Sequence, residues 1–112
     1  MDADSILKLE VDNEGFLLNP EVWTEAIALH LAQGEDLELN AERWEIVWFI
    51  REHFERWQSV PETRRILSAL KAKHGPEKAT RKYLYGLFPY GYGQQACKIA
   101  GMRKPLKIML DV

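Results

Sequence analysis

Residues 83–105 read YLYGLFPYGYGQQACKIAGMRKP. The stretch holds the only cysteine of the chain, Cys97, with four of its seven glycines and two of its five prolines. Tyr83, Leu84, Leu87 and Phe88 share one helical face, so a helix is expected until Pro89 stops it. Tyr90-Gly91-Tyr92-Gly93 predicts a turn. Gln94–Ala100 predicts a short helix carrying Cys97, and Gly101 ends it. From Lys104-Pro105 onward the chain reads as an extended tail, closing on Leu106, Ile108, Met109, Leu110 and Val112. Elements this short are not stable alone, so they need a body to pack on.

The rest of the chain supplies that body. Leu7, Leu9 and Val11 alternate with polar residues, and Asp12-Asn13-Glu14-Gly15 followed by Phe16-Leu17-Leu18 predicts a turn and a return strand. Asn19-Pro20 has the form of a helix start, a side-chain cap followed by proline. The helix it opens places Trp23, Ile27 and Leu31 on one face and ends at Gly34. Asn40 caps a central helix over Ala41–Gln58, in which Trp44, Ile46, Val47, Trp48, Phe49, Ile50, Phe54 and Trp57 are too many for one stripe, so burial nearly all round is expected. Pro61 opens a third helix with Ile66, Leu67 and Leu70 inward, and Gly75-Pro76 closes it and starts the fourth. The expected fold is mainly α, a single domain over 1–112: a β-hairpin at 5–18, a small helical bundle at 19–101 and a C-terminal arm at 102–112.

Length and composition narrow the function. At 112 residues and 46% hydrophobic, the chain suffices for one modest core. Met1-Asp2-Ala3-Asp4 lacks the basic start of a secretory signal, and no apolar run reaches membrane-spanning length. One cysteine excludes an intrachain disulfide. These features predict a cytoplasmic protein. Residues 1–60 carry four Lys or Arg against fourteen Asp or Glu, a net of −10, whereas residues 61–112 carry eleven against three, a net of +8. Either the second half meets an anionic partner, or the two halves neutralise each other in the fold.

Few residues carry chemistry. Cys97 sits early in a predicted short helix beside Lys98, and both a helix N-terminus and a cation favour the reactive thiolate. The opposite reading is a buried cysteine acting as a small apolar side chain. His30, His53 and His74 fall on three different predicted helices with no second cysteine, so neither a metal site nor a cofactor is expected. Ser5, Ser59 and Ser68 have no nucleophile elbow around them. The pair of helices joined at Gln58–Pro61 resembles a helix-turn-helix in outline, with Arg64, Arg65, Lys71 and Lys73 on its second member and Arg81, Lys82, Lys98 and Lys104 adding positive charge beyond it. These are the candidate contacts for an anion or a nucleic acid.

The C-terminal stretch is similar to the signature of the DsrC/TusE family of small sulfur-carrier proteins. Earlier segments agree with it: Asp12-Asn13-Glu14-Gly15-Phe16-Leu17 with the family's D-x-x-G-[FY]-L turn, Trp23 with its tryptophan, Glu42-Arg43-Trp44 with its E-H-W helix, and Pro61 with Arg64 with its P-x-x-R. The resemblance covers nearly the whole chain. It implies a small helical bundle with an N-terminal β-hairpin and a mobile C-terminal arm, and a role in sulfur relay with sulfur-transfer proteins or dissimilatory sulfite reductase as partners. It also implies that the carrier cysteine belongs eleven positions beyond Cys97, where this chain has Ile108. Tyr92 and Arg103 replace two usual prolines, and Arg43 replaces a usual histidine. Cys97 is then the only thiol left to accept sulfur, in a protein that is not a stand-alone enzyme. A regulatory DNA-binding protein, or a non-catalytic interaction protein on the same fold, is the alternative.

Overall fold

A computed structural model describes residues 9–105. The expected strand residues 5–8 and the end of the arm, including Ile108, lie outside these. Among the described residues the fold is mainly helical. It comprises α1 (Glu25–Gly34), α2 (Ala41–Trp57), α3 (Thr63–His74), α4 (Arg81–Leu87) and, near the C-terminus, a π-helical turn (Tyr92–Ala96) that runs directly into the short α5 (Cys97–Ile99).

The expected β-hairpin is not a strand pair among the described residues. Only one antiparallel bridge forms, between Val11 and Leu17. The Asp12 carboxylate accepts from the backbone N–H groups of Glu14 and Phe16, which tightens the turn. Immediately after Leu18, Asn19 and Pro20 draw the chain into a 3₁₀ turn (Pro20–Val22), which leaves the return segment too short for a ladder. The turn still serves the core, because Phe16 and Leu17 are fully buried.

The same 3₁₀ turn corrects the first helix boundary. Asn19 caps the turn through Glu21 N–H, but Trp23 returns to an extended conformation, and α1 starts only where the Thr24 hydroxyl accepts from Ile27 N–H. A short loop replaces one helical turn and sends the Trp23 side chain inward. Asn40 caps α2 through Arg43 N–H, as its sequence predicts. Gln58 ends α2 in the left-handed region at φ 56°. Likewise α4 starts not at Pro76, which opens only a 3₁₀ turn (Pro76–Lys78), but at Arg81 after the cap by Thr80.

The central helix is not buried all round. Ile46, Val47 and Ile50 form its core face, while Trp48 and Trp57 remain exposed at 36% and 56%. Aromatic residues that overfill one stripe instead stack along the flank: Trp44 lies against Trp48 at 6.2 Å, and Trp48 meets Trp23 edge-on at 5.3 Å. One core, built from Leu17, Ile27, Ala28, Ile46, Val47, Ile50, Ile66, Leu70, Leu84 and Phe88, continues into Ala96, Cys97, Ile99 and Met102. The C-terminal segment is therefore part of the core, with α5 packed on α1 and α2.

Gly101 makes that packing possible. Its φ is +78°, and a methyl there would come within 2.8 Å of Trp23 Cγ. Gly86, inside α4, has open space around its Cα. Gly101→Ala is expected to destabilise by about 2 kcal/mol or more, and Gly86→Ala to stabilise by roughly 0.5–1 kcal/mol. Denaturant midpoints of the two variants check this pair of opposite signs.

Candidate functional site

The site is the surroundings of Cys97, since no other residue of the chain carries a thiol. Cys97 is fully buried. Three features of the sequence put it there. Pro89 and Gly91 turn the chain back after α4, with Gly91 at φ 101° and its N–H on the Phe88 carbonyl. Tyr92 then begins the π turn, one residue wider per turn than an α-helix. Cys97 N–H closes onto the Tyr92 carbonyl, and Ala96, Cys97 and Ile99 face the body.

This geometry removes both supports for a thiolate. Cys97 is preceded by five helical residues, so the unpaired N–H groups of the helix start lie a full turn away. Lys98 points elsewhere, with Nζ 3.0 Å from the Glu35 carboxylate and 5.1 Å from the centre of the Phe16 ring. Burial pushes the Cys97 thiol up to about 12, against a lowering contact from the Tyr92 hydroxyl. That hydroxyl donates to the Pro61 carbonyl at 2.6 Å, so toward the neutral thiol it is an acceptor. Burial also raises the Tyr92 phenol well above its ordinary range. In the closed site burial keeps the thiol protonated.

Side chains from the body lock the segment down. Trp23 Nε1 donates to the Ile99 carbonyl at 2.8 Å, a buried bond across 76 residues. Arg51, only 4% exposed, donates from one terminal nitrogen to the Pro20 carbonyl at 3.0 Å and to the Ala100 carbonyl at 3.2 Å. Its guanidinium lies 4.7 Å from the Trp23 ring centre and 5.6 Å from that of Phe54. Glu55 approaches it at 3.6 Å from a mostly exposed position. A buried cation satisfied mainly by two carbonyls binds those carbonyls strongly. The Gln95 side-chain oxygen accepts from Tyr90 N–H, and its amide nitrogen donates to the Glu35 carboxylate.

Of the candidate anion contacts, Lys98 and Lys104 are brought to this end of the molecule, where Glu35 and Glu14 pair with them. Arg64, Arg65, Lys71, Lys73, Arg81 and Lys82 are exposed on α3 and α4. Arg64 pairs with Glu62 at 2.7 Å and Lys73 with Glu45 at 2.9 Å, the latter joined by His74. Lys78 reaches Glu42 at 3.6 Å. The acidic first half and the basic second half thus meet across the fold, which favours mutual neutralisation. Among the described residues, no group of three His, Cys, Asp or Glu side chains is placed to hold a metal ion. No helix among them is long and apolar enough to cross a membrane.

Sequence reasoning missed Trp23, Arg51 and Tyr92 as parts of the site. Arg51 carries a readable signal, being a lone cation between Ile50 and Phe54 on an otherwise apolar face. Tyr92 gives none, because a Tyr between two glycines reads as a turn.

Comparison with known proteins finds relatives over nearly the whole chain and the same fold in solved structures. Residues 5–109 match the family described as DsrC like protein. The Sulfurtransferase TusE of Photorhabdus laumondii subsp. laumondii is 44% identical over 100 residues, covering 89% of this chain and 90% of that protein. The oxidized gamma-subunit of the dissimilatory sulfite reductase (DsrC) of Archaeoglobus fulgidus superposes with a TM-score of 0.79 at 34% identity, covering 87% of this chain and 89% of the other. DsrC of Allochromatium vinosum gives a TM-score of 0.77 at 44% identity, covering 88% of each.

The raised pKa has a thermodynamic consequence. The folded state holds the thiol proton above the value at which the unfolded chain releases it, near 8.5. The stability contributed by the neutral buried thiol is therefore complete below that pH. It is lost as pH rises toward about 12, at up to about 1.4 kcal/mol per pH unit. Unfolding curves of the native chain and of Cys97→Ala, measured from pH 8 to 11, are expected to converge as the pH rises.

Proposed function

The chain belongs to the DsrC-like protein family, and on that footing we propose that it is a sulfur-relay protein in which Cys97 is the one sulfur-accepting thiol, uncovered when the segment Tyr92–Met102 lifts from the body. The observation that carries this reading is the position of that thiol. It is sealed on the inner face of a segment held by a few directional side-chain bonds, from Trp23, Arg51 and Lys98, rather than by a sheet or a disulfide. Such a segment opens locally at a cost below that of global unfolding. Once open, Cys97 recovers ordinary solvation, and its pKa falls toward that of a free thiol.

The relatives' names suggest the partners. A persulfide-bearing sulfurtransferase would be the donor, and a sulfite reductase or a further relay protein the receiver. In the transfer, the Cys97 thiolate attacks the outer sulfur of the donor persulfide. The donor S–S bond breaks, a new S–S bond forms on Cys97, and the donor leaves as a thiolate that takes up the proton Cys97 released. A single free thiol suits the reducing cytoplasm. DNA binding has no comparable support, because Arg64 and Lys73 already pair with Glu62 and Glu45, and the relatives are named for sulfur transfer and sulfite reduction.

Intact mass after incubation with a persulfidated sulfurtransferase tests the proposal. The native chain should gain the mass of one sulfur atom, Cys97→Ser should gain none, and Trp23→Phe, which lacks the bond to Ile99, should gain it several-fold faster. A chain that is alkylated at Cys97 under the same conditions yet takes no sulfur would overturn it and leave a relay partner that acts by binding alone.

A further inference from the structure

A small cavity of about 110 Å³ lies between the start of α3, the outer face of α4 and the π turn, lined by Thr63, Arg81, Leu84, Tyr85 and Tyr92. That is the share of roughly three or four water molecules. Thr63, Leu84 and Tyr92 are its buried walls, at 2%, 3% and 5% exposure, and Arg81 and the half-exposed Tyr85 its outer ones. The Tyr92 side chain ends at the Cys97 thiol, in hydrogen-bonding contact. One tyrosine therefore separates this cavity from the only thiol in the chain. We propose that the cavity is a port through which a small, soft sulfur anion, a hydropolysulfide, reaches Cys97 without the segment Tyr92–Met102 being lifted.

The chemistry of the walls selects that class. A hard, strongly hydrated oxyanion needs several donors to replace its water. Here the walls are a leucine and two phenol rings, which favour a polarisable ligand through dispersion. Arg81 supplies the opposite charge. The Thr63 hydroxyl is buried with no hydrogen-bond partner among the described residues. A buried hydroxyl is rarely left so, and a ligand in the cavity is one way to complete it. Thr63 is also the first residue of the twelve-residue α3, which starts without a side-chain cap, so the positive end of its dipole lies at this wall. Tyr92 is the door. Its hydroxyl gives up the Pro61 carbonyl to donate to the sulfur as the thiol ionises, a smaller movement than releasing Trp23, Arg51 and Lys98 together.

The step balances without an added oxidant. Cys97 sulfur attacks the terminal sulfur of the hydropolysulfide, the adjacent S–S bond breaks, and an S–S bond forms on Cys97. The thiol's proton ends on the departing anion, which is one sulfur shorter.

This inference rests on Cys97 being a sulfur acceptor, and the test separates the two. The full chain is treated with sodium tetrasulfide, which is anionic, or with iodoacetamide, which is neutral, and the rates are read by intact mass. Arg81→Gln should slow sulfur addition from tetrasulfide about fivefold and leave the iodoacetamide rate unchanged. Thr63→Val, of the same shape, should slow tetrasulfide alone in the same way. Unfolding midpoints confirm that both variants fold. Equal tetrasulfide rates in the native chain and Arg81→Gln would overturn the port, as would both reagents accelerating in parallel in Trp23→Phe, because entry would then be by opening. If a persulfidated sulfurtransferase loads Cys97 and tetrasulfide does not, the port fails and the relay stands. If neither loads it, both fail.

Discussion

The hydrogen bond from the Trp23 indole to the Ile99 carbonyl ties the loop between the 3₁₀ turn and α1 to the short helix α5. Several other features depend on it. The indole must reach inward, so the chain leaves the 3₁₀ turn at Trp23 in an extended conformation and starts α1 late. The ring fills the space where a side chain at position 101 would stand, so that residue is glycine. Arg51 then stacks on the same ring and reaches the next carbonyl, that of Ala100. Three residues distant in sequence thus hold α5 against α1 and α2, and the thiol is buried as a result. Breaking a buried bond of this kind costs on the order of 1–3 kcal/mol, a sizeable share of a small protein's stability.

The helices were largely legible because their signals are local. Asn40 caps α2, Pro89 stops α4, and Ile66 and Leu70 face inward at the spacing that predicts them. Where local signals compete, sequence reading failed. Asn19-Pro20 is a genuine cap, but of a 3₁₀ turn, because the demand on Trp23 overrides continuation of the helix. The alternation before Asp12 resembles a strand, yet among the described residues only one bridge forms, since the turn at Asn19-Pro20 limits the length available for pairing. The environment of Cys97 was illegible for a related reason. Whether a thiol near a lysine is activated depends on where that lysine points, and Glu35, more than sixty residues away, captures it.

The charge asymmetry of the sequence shows how an average misleads. A net of −2 conceals two strongly opposed halves. In the fold they interlock: Glu14 with Lys104, Glu35 with Lys98, Glu42 with Lys78 and Tyr83, and Glu45 with Lys73 and His74. Exposed pairs of this kind add little stability individually. The Lys98–Glu35 pair is different, being largely shielded and attached to the residue next to Cys97, so its contribution is concentrated where the segment would open.

The indole array on the flank of α2 has a consequence of another kind. Trp44, Trp48 and Trp23 form a chain of aromatic contacts, and its innermost member holds the segment that covers the thiol. The rings are close enough for their electronic transitions to couple, and that coupling depends on their mutual orientation. Trp23 is also the ring on which a guanidinium rests. Any motion that frees Ile99 from Trp23 changes the polarity around one ring and its angle to the next. The protein therefore carries a built-in optical gauge, readable in near-ultraviolet circular dichroism and tryptophan emission, of whether its only cysteine is covered.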